Sequence, residues 1–187
     1  RVSLGGVPIE KPHLNHLRRR VALVTQDVQL FQASVRDNLT FFNRSIPDDV
    51  ILSVIHELGL SSWFESLSDG LDTKLETGGR SLSAGEAQLL AFTRVFMGNP
   101  GLVILDEASS RLDPATEQLI ERAVDRLLQD RTAIIIAHRL RTIHRTDEIM
   151  ILDEGQIAEY GDREHLIADP TSRFSGLLKT GLEEVLV

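Results

Sequence analysis

Two short apolar runs in the last third of the chain set the strongest limit on what it can fold into. Residues 102–105 and 133–137 are continuous aliphatic runs, and between them residues 115–128 carry apolar side chains at helical spacing. Continuous apolar runs are typical of parallel strands buried on both faces, and an intervening helix makes a strand-helix-strand crossover. Asp113 before Pro114 gives that helix an N-cap and a preorganised first residue. The sequence therefore predicts an α/β fold with a mainly parallel sheet.

The rest of the chain adds a further strand, a helical region and a C-terminal hairpin. Residues 21–24 form another apolar run that ends before polar Gln26. Residues 34–98 read as mainly helical, because apolar side chains recur there on one helical face. Residues 149–160 have the pattern of a hairpin, and residues 163–179 that of terminal helices. We expect a mixed α/β domain with a helical insertion.

Composition limits the classes of partner and site. The 187 residues are 42% hydrophobic and 26% charged, which is ordinary for one globular domain with a core. The net charge of -8 disfavours non-specific binding to nucleic acid, so we expect no nucleic-acid partner. The absence of cysteine excludes disulfides and thiolate metal sites. The apolar runs fall far short of the roughly 20 residues that a membrane-spanning helix needs.

Chemically useful side chains follow both apolar runs. Asp106 and Glu107 come after the first run, and His138 follows the second. Ligands of open parallel sheets bind outside the carboxyl ends of the strands, so these side chains are expected to converge on one edge. One carboxylate can hold Mg²⁺ while the next orients or deprotonates a water. Singly, each has a plain structural explanation, since strand ends are commonly acidic and a lone histidine is more often structural.

A second cluster opens the helix that starts near residue 83. Ser83 followed three residues later by Glu86 is the pattern of a capping box, which explains these residues without any ligand. The same helix start, with free N–H groups, a hydroxyl and Gly85, is also an anion site able to hold a terminal phosphate. Taken alone, the pattern favours capping.

The order and spacing of these segments resemble the nucleotide-binding domain of ABC transporters over nearly the whole chain. The matching positions are Gln26 for the Q-loop, residues 82–86 for the signature, Asp106 for the end of the Walker B strand, Glu107 for the catalytic carboxylate, residues 110–113 for the D-loop and His138 for the switch histidine. Residues 30–39 after the Q-loop, residues 137–143 around the switch histidine and residues 151–161 are similar to the exporter-like branch.

The resemblance implies a P-loop NTPase-like ABC ATPase fold across residues 1–187. Residues 1–32 and 99–187 would form the RecA-like core portion, and residues 33–98 the helical subdomain that carries the signature. Asp106 and Gln26 would contact Mg²⁺ directly or through water. In this scheme two such domains close head to tail around two ATP molecules.

The resemblance also assigns roles to the remaining positions. Glu107 would polarise the attacking water and His138 would contact the γ-phosphate. Ser83, Gly85 and Glu86 would serve the ATP held by the opposite domain, while Asp113 would couple the two sites.

The partners that the resemblance implies are a second ABC ATPase domain, identical or different, and a transmembrane domain on the same chain or on another subunit. The helical region and the loop after Gln26 would receive that transmembrane domain. The chain would then lie at the cytoplasmic face of the cell membrane. The transported substrate is not encoded here, because in exporters the transmembrane helices select it.

The sequence departs from the family pattern in two places. It contains no Gly-rich loop with Lys and Ser or Thr, and Gly5-Gly6 is not followed by lysine. We therefore expect the N-terminal strands and the phosphate loop to be missing, and this chain alone to be inactive. In the signature, Ala84 replaces a glycine and Glu86 a glutamine, and Leu89 stands where arginine is usual. Glu86 places a negative charge near the expected phosphate, which favours a weaker half-site.

Two other readings stay open at this point. A soluble ABC-type ATPase that acts on nucleic acid would need a long coiled coil before the signature, and the segment from Gln26 to Ser83 is too short for one. A non-hydrolytic regulatory or scaffold subunit on the same fold is the other alternative. The presence of Glu107 and His138 counts against it.

Overall fold

The computed structural model describes residues 2–25, 28–76, 82–106, 114–137 and 143–180, which form two compact units, Arg1–Ile134 and Ile135–Val187. The strands are β1 Ser3–Leu4, β2 Val7–Pro8, β3 Val21–Val24, β4 Leu102–Asp106, β5 Thr132–Ile136, β6 Glu148–Asp153 and β7 Gln156–Asp162. The helices are α1 Leu14–Arg20, α2 Val35–Thr40, α3 Asp48–Glu57, α4 Ser61–Glu65, α5 Ala84–Gly98, α6 Pro114–Leu128, α7 Arg163–Ala168 and α8 Arg173–Thr180, with a 3₁₀ turn at Gly70–Asp72.

A three-stranded sheet in the order β3-β4-β5 carries the strand ends that the sequence singles out. β3 and β4 run parallel, with Val21 beside Leu102 and Val24 beside Leu105. α6 makes the predicted crossover between β4 and β5. In β4 the side chains of Val103 and Leu105 are buried, as expected for a central strand. The predicted α/β class with a parallel sheet is confirmed.

The outer two strands are less buried than their apolar runs predict. Leu23 of β3 is 57% exposed, and Ile134 and Ile136 of β5 are 51% and 47% exposed. In the part of the chain that the structure describes, each strand has a hydrogen-bonded neighbour on one side only. The expectation that residues 133–137 are buried on both faces is therefore wrong for these residues. An apolar run identifies a strand, but its burial depends on neighbours distant in sequence.

The helical part of the first unit is organised around α5. This helix packs against α2, α3, α6 and β3. Leu89 and Leu90 at its centre are fully buried, and Ile51 and Ile55 of α3 are buried with them. Val50, the apolar neighbour of Ile51 in α3, is half exposed.

The second unit contains the predicted hairpin and terminal helices. β6 and β7 pair antiparallel through a turn in which Glu154 and Gly155 both have positive φ, 49° and 76°. That geometry suits a two-residue turn whose twist matches the strands. Below the hairpin, a small core forms around Ile149 and Phe174.

The helices of the described ranges are short compared with a bilayer. α5 and α6 have 15 residues each, whereas a membrane span needs about 20 apolar ones. No helix within residues 2–25, 28–76, 82–106, 114–137 and 143–180 is long and apolar enough to span a membrane.

Candidate functional site

Asp106 is the last residue of the central strand β4. Leu105 before it is buried, while Asp106 itself is partly exposed, so the carboxylate stands where the strand leaves the core. Because β3 and β4 are parallel and Val24 lies beside Leu105, the segments that follow both strands leave the sheet at the same edge. This is the edge at which the sequence predicts a site.

The signature residues form one closed turn at the start of α5. Ser83 is the N-cap, and its Oγ accepts a hydrogen bond from the N–H of Glu86 at 3.2 Å. The Glu86 carboxylate in turn accepts from the N–H of Ser83 at 2.7 Å. Gly85 lies buried between them. The predicted capping box is confirmed, and the structure places Ser83, Gly85 and Glu86 together.

The capping box also defines the charge at this helix start. The N-terminus of a helix carries partial positive charge, which attracts anions. Here a carboxylate of the chain, that of Glu86, already accepts one of the N–H groups. An incoming phosphate would meet that charge at close range. A weaker half-site at this turn stays a prediction.

The other four candidates, Gln26, Glu107, Asp113 and His138, lie outside the described residues. Their positions are known only along the sequence, relative to the described strands. Gln26 follows β3 by two residues, and Glu107 comes directly after Asp106. Their roles stay predictions.

The donor chemistry of Asp106 fits Mg²⁺. This cation prefers oxygen ligands and keeps several waters, so one or two protein oxygens are enough to hold it together with a nucleotide phosphate. Among the residues that the structure describes, no group of three or more acidic or histidine side chains is arranged to hold a metal ion by itself. The assignment of Asp106 to Mg²⁺ stays a prediction.

A polar network around Arg94 escaped the sequence analysis. The guanidinium donates from Nε to the backbone oxygen of Asn38 at 2.5 Å, from Nη2 to Asn38 Oδ1 at 2.9 Å and from Nη1 to the backbone oxygen of Gln29 at 2.9 Å. Asn38, fully buried, also accepts from the N–H of Phe31 at 2.8 Å and donates from Nδ2 to the oxygens of Phe31 and Ser34, both at 3.0 Å. Every acceptor of Arg94 in this network is a neutral oxygen.

Burial of this arginine has an electrostatic consequence. Desolvation lowers the pKa of Arg94, although arginine stays charged at any physiological pH. A partly buried cation that is held by carbonyl oxygens is costly unless its geometry is well satisfied. The hydrogen bonds to Gln29 and Asn38 therefore satisfy this cation and hold the segment after Gln26 against α5.

Beside Arg94 lies a cluster of exposed aromatic rings, here called the aromatic patch, made of Phe31, Phe41 and Phe42. The Phe31 ring meets those of Phe41 and Phe42 edge-on at 6.2 and 5.3 Å, and the Arg94 guanidinium lies 5.0 Å from the centre of the Phe41 ring. The three side chains are 44%, 61% and 52% exposed. Phe41 and Phe42 both have positive φ, which is uncommon for bulky residues.

The aromatic patch borders a cavity of about 540 Å³ between β3, the following loop and α5. Phe31, Phe41 and Arg94 contribute to its wall together with Leu23. Exposed clusters of large apolar side chains commonly mark a binding surface. Paired phenylalanines directly after a short helix are the sequence signal that points to this patch.

Comparison with known proteins identifies the family. The family model described as ABC transporter matches residues 1–110. The chain is 40% identical over 168 residues to an ATP-dependent lipid A-core flippase of Alcanivorax borkumensis, covering 89% of this chain and 29% of that protein. It is 37% identical over 185 residues to the flippase of the same name from Pseudomonas aeruginosa, covering 98% and 30%. An uncharacterised ABC transporter ATP-binding protein of Bacillus subtilis is 35% identical over 178 residues, covering 95% and 29%. The chain thus spans less than a third of the length of these relatives, and it belongs to the ABC transporter family, in the exporter-like ATP-binding domain.

Proposed function

We propose that this chain is the ATP-binding and ATP-hydrolysing motor domain of a membrane exporter. The observation that carries the proposal is Asp106 at the carboxyl end of the central parallel strand, with Glu107 next in sequence. Two of the similar proteins are named ATP-dependent flippases, which supports ATP as the energy source and a lipid-type cargo as one example of what such motors move.

The proposed chemistry divides the residues by role. Asp106, with Gln26, would hold Mg²⁺, which when bound neutralises charge on the terminal phosphates. Glu107 would orient the attacking water and accept its proton, and His138 would donate a hydrogen bond to the γ-phosphate.

A complete site would also need a second domain. Ser83 and Gly85 would contact the ATP held by the opposite domain, with Glu86 beside them, and Asp113 would link the two sites. In this arrangement, hydrolysis depends on closure of two domains head to tail.

The proposed transmembrane partner would dock on the aromatic patch. Three exposed phenylalanine rings beside a cavity form an apolar surface on the helical part of the first unit. The matched region is 29% of each of these relatives, so most of their length lies outside it. We propose that residues 33–98 act as the helical subdomain that receives this partner at the cytoplasmic face of the membrane.

The 187 residues alone are proposed to be inactive. They contain no Gly-Lys pair, and the phosphate loop of this family uses such a lysine to hold the β- and γ-phosphates. The activity is therefore a property of the full-length transporter.

Steady-state ATP hydrolysis by the purified full-length transporter tests the proposal. We expect turnover that requires Mg²⁺, and we expect Asp106→Asn to lower kcat/KM by roughly 10²–10³-fold because a carboxylate that fixes the metal is lost. Asp130→Asn is the matched control, since Asp130 is exposed after α6 and asparagine tolerates its positive φ. Full activity in Asp106→Asn, or the absence of Mg²⁺-dependent turnover in the unmodified protein, would show that the proposal is wrong.

A further inference from the structure

The Arg94 network joins α5 to two separate stretches of chain. Gln29 belongs to the loop after β3, and Asn38 lies in α2, 56 residues before Arg94. The Phe41 ring, at the end of α2, lies under the same guanidinium. One side chain of α5 therefore holds both segments that carry the aromatic patch.

The geometry requires arginine specifically. Three nitrogens of the guanidinium donate in three directions, to Gln29 O, Asn38 O and Asn38 Oδ1, while its flat face lies over a ring. A lysine carries one compact ammonium at the end of a flexible stem and cannot reproduce this planar fork. The substitution Arg94→Lys therefore keeps the charge and removes the geometry.

Asn38 links Arg94 to the aromatic patch through hydrogen bonds to Phe31. Its side chain accepts from the N–H of Phe31 and donates to the oxygen of Phe31, so it fixes this residue from both sides. Because Asn38 is fully buried, loosening it leaves polar atoms without partners. The position of Phe31 is thus tied through Asn38 to Arg94.

α5 then connects this contact to the signature turn. Ser83, the N-cap of α5, lies eleven residues before Arg94, which is about 16 Å along a helix. The buried side chains of Leu89 and Leu90 fix the helix between these points. Because the backbone of an α-helix is hydrogen-bonded along its length, a shift of Arg94 would be carried along α5 to the signature turn.

We propose that Arg94 is a positioning residue that ties the aromatic patch to α5. Through it, the surface that receives the transmembrane partner and the turn that faces the opposite ATP move together. This inference rests on the proposed function, in which the aromatic patch is the docking surface.

The matched control is Arg131, which follows α6 and contacts the C-terminal end of α5. The Arg131 guanidinium lies 4.9 Å from the centre of the Phe96 ring and donates to the oxygen of Leu127 and to Asn99 Oδ1. Its chemistry is the same as that of Arg94, but its partners are the ends of α5 and α6. Arg131→Lys therefore removes an equivalent network that does not reach the aromatic patch.

The test is a double-mutant cycle on the ATPase kcat of the full-length transporter in lipid vesicles. The variants are Arg94→Lys, Phe41→Ala, their combination, and Arg131→Lys alone and with Phe41→Ala. We expect Arg94→Lys and Phe41→Ala each to lower kcat about tenfold, with the KM for ATP within twofold of the unmodified protein. If Arg94 acts through the patch, the double variant should be no slower than the slower single variant.

The outcomes separate the two levels of the proposal. If Arg94 only stabilises the fold, Arg94→Lys and Arg131→Lys should lower kcat to the same extent. The effect of Arg94→Lys on kcat should then be independent of Phe41→Ala. Equal effects of the two arginine variants, or multiplied effects of Arg94→Lys and Phe41→Ala, would therefore overturn the positioning role and leave the proposed motor function in place. Unchanged kcat in Phe41→Ala would overturn the docking surface and the positioning role together. A separate result, the absence of Mg²⁺-dependent ATP hydrolysis by the unmodified transporter, would show that the proposed function is wrong.

Discussion

At the scale of single residues, one carboxylate holds the start of a helix in the second unit. Glu159 of β7 accepts hydrogen bonds from the N–H groups of Arg173 and Phe174, at 3.0 and 2.8 Å, and from the hydroxyl of Ser172 at 3.0 Å. Desolvation raises the pKa of Glu159, but these hydrogen bonds outweigh it, so the pKa lies below its ordinary value. The ionised carboxylate therefore stabilises the first turn of α8.

Glu159→Gln should loosen α8 in a pH-dependent way. At neutral pH we expect the amides of Arg173 and Phe174 to exchange about fivefold faster than in the unmodified protein, the size of a weakened helix cap. Because the pKa is lowered on folding, the contribution of the charge is present above the unfolded value of about 4.3 and is lost as pH falls through the folded pKa. Hydrogen exchange measured at successive pH values from 7 downward, each compared with the unmodified protein, checks this, because the difference should shrink as pH falls. A fivefold difference that stays constant across the whole acid series would contradict it.

At the scale of secondary-structure elements, α5 shows which interactions a sequence reveals. Its capping box involves Ser83 and Glu86, three residues apart, so the pattern was readable and is confirmed. The network of Arg94 joins residues 56 positions apart, and no local pattern indicates it. The strands β3 and β5 were likewise predicted correctly, while their exposure depends on sheet neighbours distant in sequence.

The start of α5 also carries a prediction about nucleotide binding. Glu86→Gln keeps a side-chain oxygen to accept from the N–H of Ser83 but removes the negative charge beside the expected phosphate. An unfavourable interaction of about 1 kcal/mol between two partly exposed charges corresponds to a fivefold change in affinity. We therefore expect the KM of the full-length transporter for ATP to fall about three- to tenfold.

ATP titration of the hydrolysis rate measures this effect. Glu65→Gln, an exposed glutamate at the end of α4, makes the same change of charge away from the signature turn and is the control. An unchanged or higher KM in Glu86→Gln would show that the carboxylate does not oppose the phosphate.

At the scale of the whole molecule, the sequence predicts class and family better than site geometry. The α/β class with a parallel sheet and the exporter-like family are confirmed, because apolar runs and ordered motifs are properties of the chain itself. Site geometry arises only where separate segments meet. Of the eight residues predicted for the site, Gln26, Glu107, Asp113 and His138 lie outside the described ranges, so their convergence stays a prediction.

The most direct test of the central claim is the identity of the nucleotide held by Glu107→Gln in the full-length transporter. The variant is incubated with Mg²⁺ and ATP, separated rapidly from free nucleotide and analysed for bound ATP and ADP. If Glu107 orients the attacking water, hydrolysis should fall by roughly 10²–10³-fold and the retained nucleotide should be ATP. Retained ADP, with turnover close to that of the unmodified protein, would contradict the account of this chain as the hydrolysing motor.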